Sequence, residues 1–211
     1  MRTFPSKAVQ QWLAGGVSDT LTHTIPAIPT IYQGIRFRSR LEARWAVFLN
    51  ALNLTYLYEA EGWDLDGEWY LPDFYIPNLN LWLEIKPQTG ADLDSIWPDN
   101  PYWNWVQKVS DYPAGDAPLD YKNLVVLVGQ PIILKDEGWL LQVGYCGYVI
   151  GDLSYRWCEC RVCGRLGIQF EGRAERICGH RHPNFNDSEI GDHSARLLTA
   201  YEQARRWQPE R

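Results

Sequence analysis

The stretch LPDFYIPNLNLWLEIK, residues 71–86, decides the fold that we expect for this chain. It contains two short runs of alternating apolar and polar residues, and a Pro-Asn pair typical of turns joins them at 77–78. Because successive side chains of a strand point to opposite faces, Glu84 and Lys86 share one face of the second run. The stretch therefore predicts a β-hairpin that brings Asp73, from the first run, towards Glu84 and Lys86.

A second pattern lies upstream, where RSRLEARWA at residues 38–46 opens a run with apolar residues at helical spacing. Ser39 followed three residues later by Glu42 has the form of a capping box, in which the glutamate side chain binds the first turn of a helix. The sequence thus predicts an α-helix that carries Glu42 near its start.

Taken together, Pro72, Asp73, Glu84 and Lys86, with Glu42 on the preceding helix, resemble the core of the PD-(D/E)XK nuclease superfamily. The superfamily includes restriction enzymes, repair nucleases and transposon-end endonucleases, and the last group also resembles this chain in its glutamate-bearing helix. The resemblance covers about residues 31–130. It implies an α/β fold of the restriction-endonuclease-like type, which is a mixed β-sheet flanked by helices.

The resemblance also implies an activity, the metal-dependent hydrolysis of phosphodiester bonds in DNA or RNA, with DNA favoured. In the superfamily's mechanism Asp73, Glu84 and the backbone carbonyl of Ile85 hold magnesium or manganese, which prefer oxygen ligands. Lys86 orients the attacking water, and Glu42 holds a second metal or a metal-bound water. The chain is therefore expected to be an endonuclease.

Three other interpretations remain open. Locally, Asp73 is also explained as a turn residue, and Glu84 with Lys86 as an ion pair across a solvated face. At the level of the protein, a nuclease-like fold can serve as a catalytically silent nucleic-acid-binding or adaptor protein. A structural partner in a larger complex is the third, with the tryptophan-rich segment 97–105 as an interface.

A cluster of cysteines and histidines near the C-terminus predicts a structural zinc site. Cys160 and Cys163 have the spacing at which two thiolates bind one zinc from a tight turn, and Cys178 with His180 supplies a second pair. Four such ligands close a tetrahedron and leave no position for a substrate, so the resemblance here is to a zinc ribbon. Two nearby residues compete for the third and fourth ligand positions, namely Cys158 and His182.

Net charge by itself argues against a nucleic-acid partner, since the formal charge is −6 and phosphate neutralisation drives such binding. The arginines are nevertheless grouped near the predicted helix start and around the cysteine cluster. We expect nucleic-acid contacts from five of them, Arg38, Arg40, Arg44, Arg161 and Arg165. A protein partner or a homodimer is left open.

The 211 residues, 45% of them hydrophobic, are enough for a substantial core. The predicted organisation is an extended lead-in at 1–30, a nuclease-like domain at 31–150, a zinc ribbon at 151–190 and a closing helix at 191–211. Further strands are predicted at 55–61, 68–76, 124–128, 131–134 and 139–143. Without an apolar stretch long enough for a membrane span or signal peptide near its start, the chain is expected to be cytoplasmic.

Overall fold

A computed structural model describes residues 27–65, 67–87, 123–131, 143–145, 155–170, 172–180, 191 and 193–209. The elements in chain order are β1 (Thr30–Tyr32), β2 (Ile35–Phe37), α1 (Arg40–Ala51), β3 (Leu57–Tyr58), β4 (Trp63–Leu65), β5 (Glu68–Tyr70), β6 (Phe74–Ile76), a 3-10 turn (Pro77–Leu79), β7 (Leu81–Lys86), β8 (Leu124–Val128), β9 (Val143–Tyr145), β10 (Tyr155–Glu159), β11 (Leu166–Phe170), α2 (Glu175–Cys178) and α3 (Ala195–Arg206).

Helix α1 begins where the capping pattern predicted it. Ser39 is the N-cap, and its Oγ accepts a hydrogen bond from the backbone N–H of Glu42 at 3.1 Å. Such a cap contributes about 1 kcal/mol to helix stability. The helix ends at Ala51 with Leu52 as its C-cap, and Asn53 follows in the left-handed region with φ of 54°. One face of the helix, including Trp45, Phe48 and Leu49, is buried in the core.

The strands of the described part form a mixed sheet with the order β11-β10-β9-β8-β7-β6-β3, and two small hairpins, β1-β2 and β4-β5. Within the sheet β7 and β8 are parallel, and the other neighbours are antiparallel. The predicted buried strand at 124–128 is confirmed as β8, and the mixed α/β class is confirmed with it.

The hairpin predicted from the opening stretch is present. Strands β6 and β7 pair antiparallel with Phe74 opposite Leu83, and the turn between them is the 3-10 segment that begins at Pro77. Asn80 completes the turn in the left-handed region with φ of 49°, a conformation that asparagine tolerates well.

The two faces of β7 have different neighbours. Leu83 and Ile85 belong to the main core together with helices α1 and α3. On the other face Trp82 stacks on Tyr75 and meets the ring of Trp63 edge to face. Glu84 and Lys86 follow Trp82 at strand spacing, so they extend from the face opposite the helices.

Two predicted strands differ from the structure. The run at 55–61 forms a strand only at Leu57–Tyr58, because Glu59 adopts a positive φ of 47° that strands do not contain. The run at 68–76 is interrupted at 71–73, so β5 pairs with β4 while β6 joins the main sheet. The simple three-strand meander expected from the pattern is therefore wrong. The turn signal before β5 is correct, since Gly67 has φ of 84° and its N–H binds Asp64.

The hairpin formed by β10 and β11 continues the main sheet through β9. Trp157, Leu166 and Ile168 of this hairpin lie in the same core as α1 and α3. Phe48 packs against both Trp157 and Tyr201, with ring centroids 5.6 and 4.6 Å away. The segment expected to be a separate ribbon thus shares its apolar core with the sheet.

Helix α3 confirms the closing helix expected from the apolar spacing near the C-terminus. Its N-cap is Ser194, and Leu197, Ala200, Tyr201 and Ala204 are buried against α1 and β10. Arg196 ties the helix to its surroundings, because its guanidinium donates to the carbonyl of Leu52 and pairs with Glu159 at 3.3 Å.

Several expectations lie outside the described residues, among them the segments at 97–105, 132–134 and 139–142, the N-terminal lead-in up to residue 26, and His182. In the described part of the chain, no helix is both long enough and apolar enough to cross a membrane.

Candidate functional site

Asp73 and Glu84 lie beside one another across the β6-β7 hairpin. The ladder ends with Phe74 opposite Leu83, and Asp73 and Glu84 are the next residues beyond that pair. Asp73 itself precedes β6, and its Oδ2 meets the backbone N–H of Ile85, the residue after Glu84. Both carboxylates are buried, with exposed fractions of 3% and 6%.

The two oxygens of Asp73 each accept one hydrogen bond. Oδ2 accepts from the backbone N–H of Ile85 at 2.6 Å, and Oδ1 accepts from Nη2 of Arg38 at 2.7 Å. The side chain is therefore held against the peptide that follows Glu84. The carbonyl of Ile85 as a metal ligand stays a prediction.

Glu84 has two partners of its own. Its Oε1 pairs with Nζ of Lys86 at 2.5 Å, and its Oε2 accepts from the hydroxyl of Tyr70 at 3.0 Å. Tyr70 comes from the β4-β5 hairpin, so this small hairpin closes one side of the site. The predicted sharing of one strand face by Glu84 and Lys86 is confirmed by this contact.

Glu42 reaches the site from the first turn of α1 and is also buried, at 7% exposure. Oε1 accepts from Oγ of Ser39 at 2.6 Å, while Oε2 accepts from the hydroxyl of Tyr58 at 2.6 Å and from the N–H of Arg38 at 3.1 Å. Burial and the bond to Glu42 raise the pKa of Tyr58 above its ordinary value, so the hydroxyl remains a donor. Glu42 therefore has a capping role whether or not it also meets a metal.

The site carries more negative charge than its own cations balance. Burial, followed by the charges of Glu84 and Glu42, raises the pKa of Asp73 to about 8, although the N–H of Ile85 and the guanidinium of Arg38 act in the opposite direction. Both oxygens of Asp73 nevertheless accept hydrogen bonds, which is the geometry of an ionised carboxylate. A further cation near Asp73 would remove this conflict.

Sequence reasoning did not assign Tyr58, Tyr70 or Glu59 to the site. Nε of Arg38 pairs with Glu59 at 2.6 Å, which makes Glu59 a neighbour of Asp73 through one guanidinium. Glu59 has a positive φ of 47°, a backbone conformation that costs a non-glycine residue about 1 kcal/mol or more and that occurs often at functional sites. The sequence has no simple signature for it. The tyrosines have none either, because their contacts join elements that are distant in sequence.

The cysteine and histidine cluster forms as predicted. In the part of the chain that the structure describes, one group of three or more Cys, His, Asp or Glu side chains is arranged to share a metal ion, and it consists of Cys160, Cys163, Cys178 and His180. Their ligand atoms lie within 4.8 Å of one another, with Nδ1 of His180 3.1 Å from Sγ of Cys178. Glu42, Asp73 and Glu84 do not gather in this way.

The turn that carries the first two cysteines is tight. The N–H of Gly164 binds the carbonyl of Cys160 at 2.8 Å, and Gly164 has a positive φ of 70° that favours glycine. Burial alone would raise the pKa of Cys160, but the N–H groups of Cys163 and Val162 and the Cys178 thiol together lower it to about 6. A thiol that loses its proton this readily suits a zinc ligand.

Of the two competing ligands, Cys158 is not one of the residues whose ligand atoms gather in the cluster. It is fully buried and packs against Cys160 and Ala174 in a small apolar core of its own. The set of three thiols and one imidazole could therefore hold a metal such as zinc without Cys158. The ligand role of His182 is outside the described residues.

The predicted nucleic-acid-binding arginines fall into two groups. Arg40 is exposed at the start of α1, and Arg44 donates from Nη1 to Gln130 at 2.6 Å. Arg161 and Arg165 are exposed beside the cysteine turn. Arg38 differs from the others because carboxylates hold its guanidinium.

Comparisons of the chain with protein-family models, with curated proteins and with solved structures found no match.

Proposed function

We propose that this protein is a metal-dependent endonuclease that hydrolyses phosphodiester bonds of nucleic acid, with DNA as the expected substrate. The proposal includes a restriction-endonuclease-like sheet of the PD-(D/E)XK type. The observation that carries it is the position of two buried carboxylates on the two arms of one hairpin: Asp73 is bonded to the N–H of Ile85, next to Glu84, and Lys86 is in contact with Glu84.

The carboxylates suit a magnesium or manganese ion. Oxygen ligands are those that these ions prefer. Burial, followed by the charges of Glu84 and Glu42, raises the pKa of Asp73, and a divalent ion would offset both effects. Asp73 and Glu84 would hold the ion, with the carbonyl of Ile85 as a further oxygen, and Glu42 would hold a second ion or its water. A bound ion of this kind polarises the scissile phosphate and lowers the pKa of the attacking water.

The residues of the chain have separate tasks in this reaction. Lys86 orients the attacking water and stabilises the negative charge that develops on the phosphate. Tyr70 and Tyr58 donate to Glu84 and Glu42, so these hydrogen bonds fix the carboxylates in position. Two of the arginines near the start of α1, Arg40 and Arg44, would contact the phosphate backbone of the substrate.

The cysteine turn would extend this surface. Arg161 and Arg165 are exposed beside ligands that a structural zinc would fix in place. The β10-β11 hairpin shares the core of the sheet, so a substrate bound at the turn would be held in a defined position relative to the carboxylates. A protein partner or a second copy of the chain could use the same surface.

One observation favours the alternative of a catalytically silent nucleic-acid-binding or adaptor protein. Lys86 already pairs with Glu84, Arg38 already pairs with Asp73, and the three carboxylates do not gather around one point. Such internal pairing would allow the site to persist without a metal.

Incubation of the purified protein with plasmid, linear duplex and single-stranded substrates distinguishes the nuclease from the adaptor. The assays contain magnesium, manganese or chelator, and Glu84→Gln serves as a matched variant of similar size. We expect cleavage of at least one substrate that needs the metal and is lost in Glu84→Gln. Binding without cleavage in every condition would instead support the adaptor.

A further inference from the structure

Arg38 lies at the centre of the acidic site. Its Nε pairs with Glu59 at 2.6 Å and its Nη2 with Asp73 at 2.7 Å, while its backbone N–H donates to Glu42. The two side-chain contacts thus use two of the three nitrogens of the guanidinium, Nε and Nη2.

Part of the Arg38 side chain can still bind an anion. Nη1 donates to neither carboxylate, and 55% of the Arg38 side chain is exposed. The planar guanidinium offers five N–H donors in a fixed arrangement that matches the oxygens of a phosphate. Tyr58 also hydrogen-bonds to this side chain, and the exposed part of the guanidinium that remains faces solvent, where an anion next to Asp73 can meet it.

Glu59 owes its contact with Arg38 to an unusual backbone. The residue has φ of 47°, in the left-handed region, and its N–H donates to the carbonyl of Asp73 at 2.9 Å. This bond ties Glu59 to the chain at the catalytic aspartate, and the turn directs its carboxylate to Nε of Arg38. Strained residues that persist in this way are held by their surroundings.

We propose that Glu59 is a positioning residue that holds the guanidinium of Arg38 in place to bind a phosphate of the nucleic-acid substrate beside Asp73. The identity of the ligand rests on the proposed function. In this arrangement Glu59, although negative, favours binding of an anion because it prevents the long arginine side chain from adopting other rotamers.

Removing the negative charge of Glu59 is therefore expected to weaken the binding of an anion, and this expectation can be tested. Binding of a duplex and a single-stranded oligonucleotide is measured by fluorescence anisotropy in chelator and in calcium, at several salt concentrations. Arg38→Ala should weaken binding about tenfold and reduce the slope of log affinity against log salt by about 1, as expected for one lost phosphate contact. Glu59→Ala should also weaken binding severalfold although it removes a negative charge.

Three further variants separate position from charge and strain. Glu61→Ala removes an exposed acid two residues away and should leave binding unchanged or slightly tighter. Glu59→Gln keeps an oxygen that can accept from Nε of Arg38, so it should retain most of the affinity. Glu59→Gly adopts positive φ without strain, and it should weaken binding as Glu59→Ala does if the carboxylate is what matters.

The inference fails if Glu59→Ala binds as tightly as Glu61→Ala, if the salt slope of Arg38→Ala equals that of the wild type, or if the wild type binds no nucleic acid. Its failure is distinguishable from that of the nuclease proposal. If the wild type cleaves nucleic acid but Glu59→Ala binds it normally, only the role of Glu59 is overturned. If the variants show the expected binding changes but the wild type never cleaves, only the nuclease proposal is overturned.

Discussion

The carboxylate of Asp73 accepts a 2.6 Å hydrogen bond from the backbone N–H of Ile85, one residue beyond Glu84. This bond crosses from the residue before β6 to the penultimate residue of β7, and it fixes Asp73 beside the strand that carries Glu84 and Lys86. The acidic site thus depends on the register of one hairpin.

Replacement of Asp73 and of Lys86 should have opposite effects on binding. Asp73→Ala removes a proposed metal ligand together with a charge that repels phosphate, so cleavage should fall about 100-fold or more while affinity in calcium stays equal or improves. Lys86→Ala should reduce cleavage to a similar degree but weaken binding, because its charge attracts phosphate throughout. Equal changes in affinity for both variants, measured by anisotropy beside cleavage rates, would contradict the assigned roles.

The stability of the metal-free protein should decrease as the pH rises from about 4 to about 8. The pKa of Asp73 is raised from 3.8 to about 8 in the folded protein, so in this range the unfolded chain releases a proton that the folded chain retains. The contribution of this group is therefore full at low pH and lost as the pH passes the folded pKa. Urea titrations in chelator should show this trend in wild type and a weaker one in Asp73→Asn, and added manganese should reduce it.

Loss of one zinc ligand should destabilise the whole described core and not only the cysteine turn. Cys163→Ser should release zinc and lower the midpoint of thermal unfolding in a single transition, because Trp157 of the same hairpin packs on Phe48 of α1. Cys158→Ala is the control, since Cys158 lies outside the ligand set and its variant should retain zinc. Elemental analysis and calorimetry check both, and a wild type that contains no zinc would remove the premise.

Phe48→Ala should cost about 3–5 kcal/mol of the free energy of unfolding. The ring joins α1 to β10 through Trp157 and to α3 through Tyr201, so its loss leaves a cavity between three elements. Val47→Ala, at a neighbouring buried position of the same helix, should cost less because fewer atoms are removed. Chemical denaturation of both variants makes the comparison, and two separate transitions in the wild type would show that the elements do not unfold together.

Local patterns in the sequence were sufficient for several elements. The Ser39 cap, the turn at Pro77 and the apolar run at 124–128 each depend on residues close together in the chain, and the structure confirms all three. The four residues of the cysteine and histidine cluster were also predicted to lie together, because the spacing of each pair is a local property.

The strands at 55–61 and 68–76 were predicted too long, and the reason is tertiary. Glu59 leaves the strand because its backbone binds Asp73 and its side chain binds Arg38, and residues 71–73 leave it because β5 and β6 join different sheets. Alternating patterns do not reveal such breaks, since the residues remain compatible with a strand.

The sequence by itself determined which acids, bases and thiols stand on one strand face or in one tight turn, because the periods of strands and turns are short. The tertiary structure alone decided what those groups meet: Tyr70 against Glu84, Tyr58 against Glu42, and Arg38 between Asp73 and Glu59. These contacts join positions up to 35 residues apart, and they exist because packing of α1 and of the β4-β5 hairpin against the sheet excludes water around the carboxylates. Burial and mutual repulsion then raise the pKa of Asp73, a property that no stretch of sequence contains.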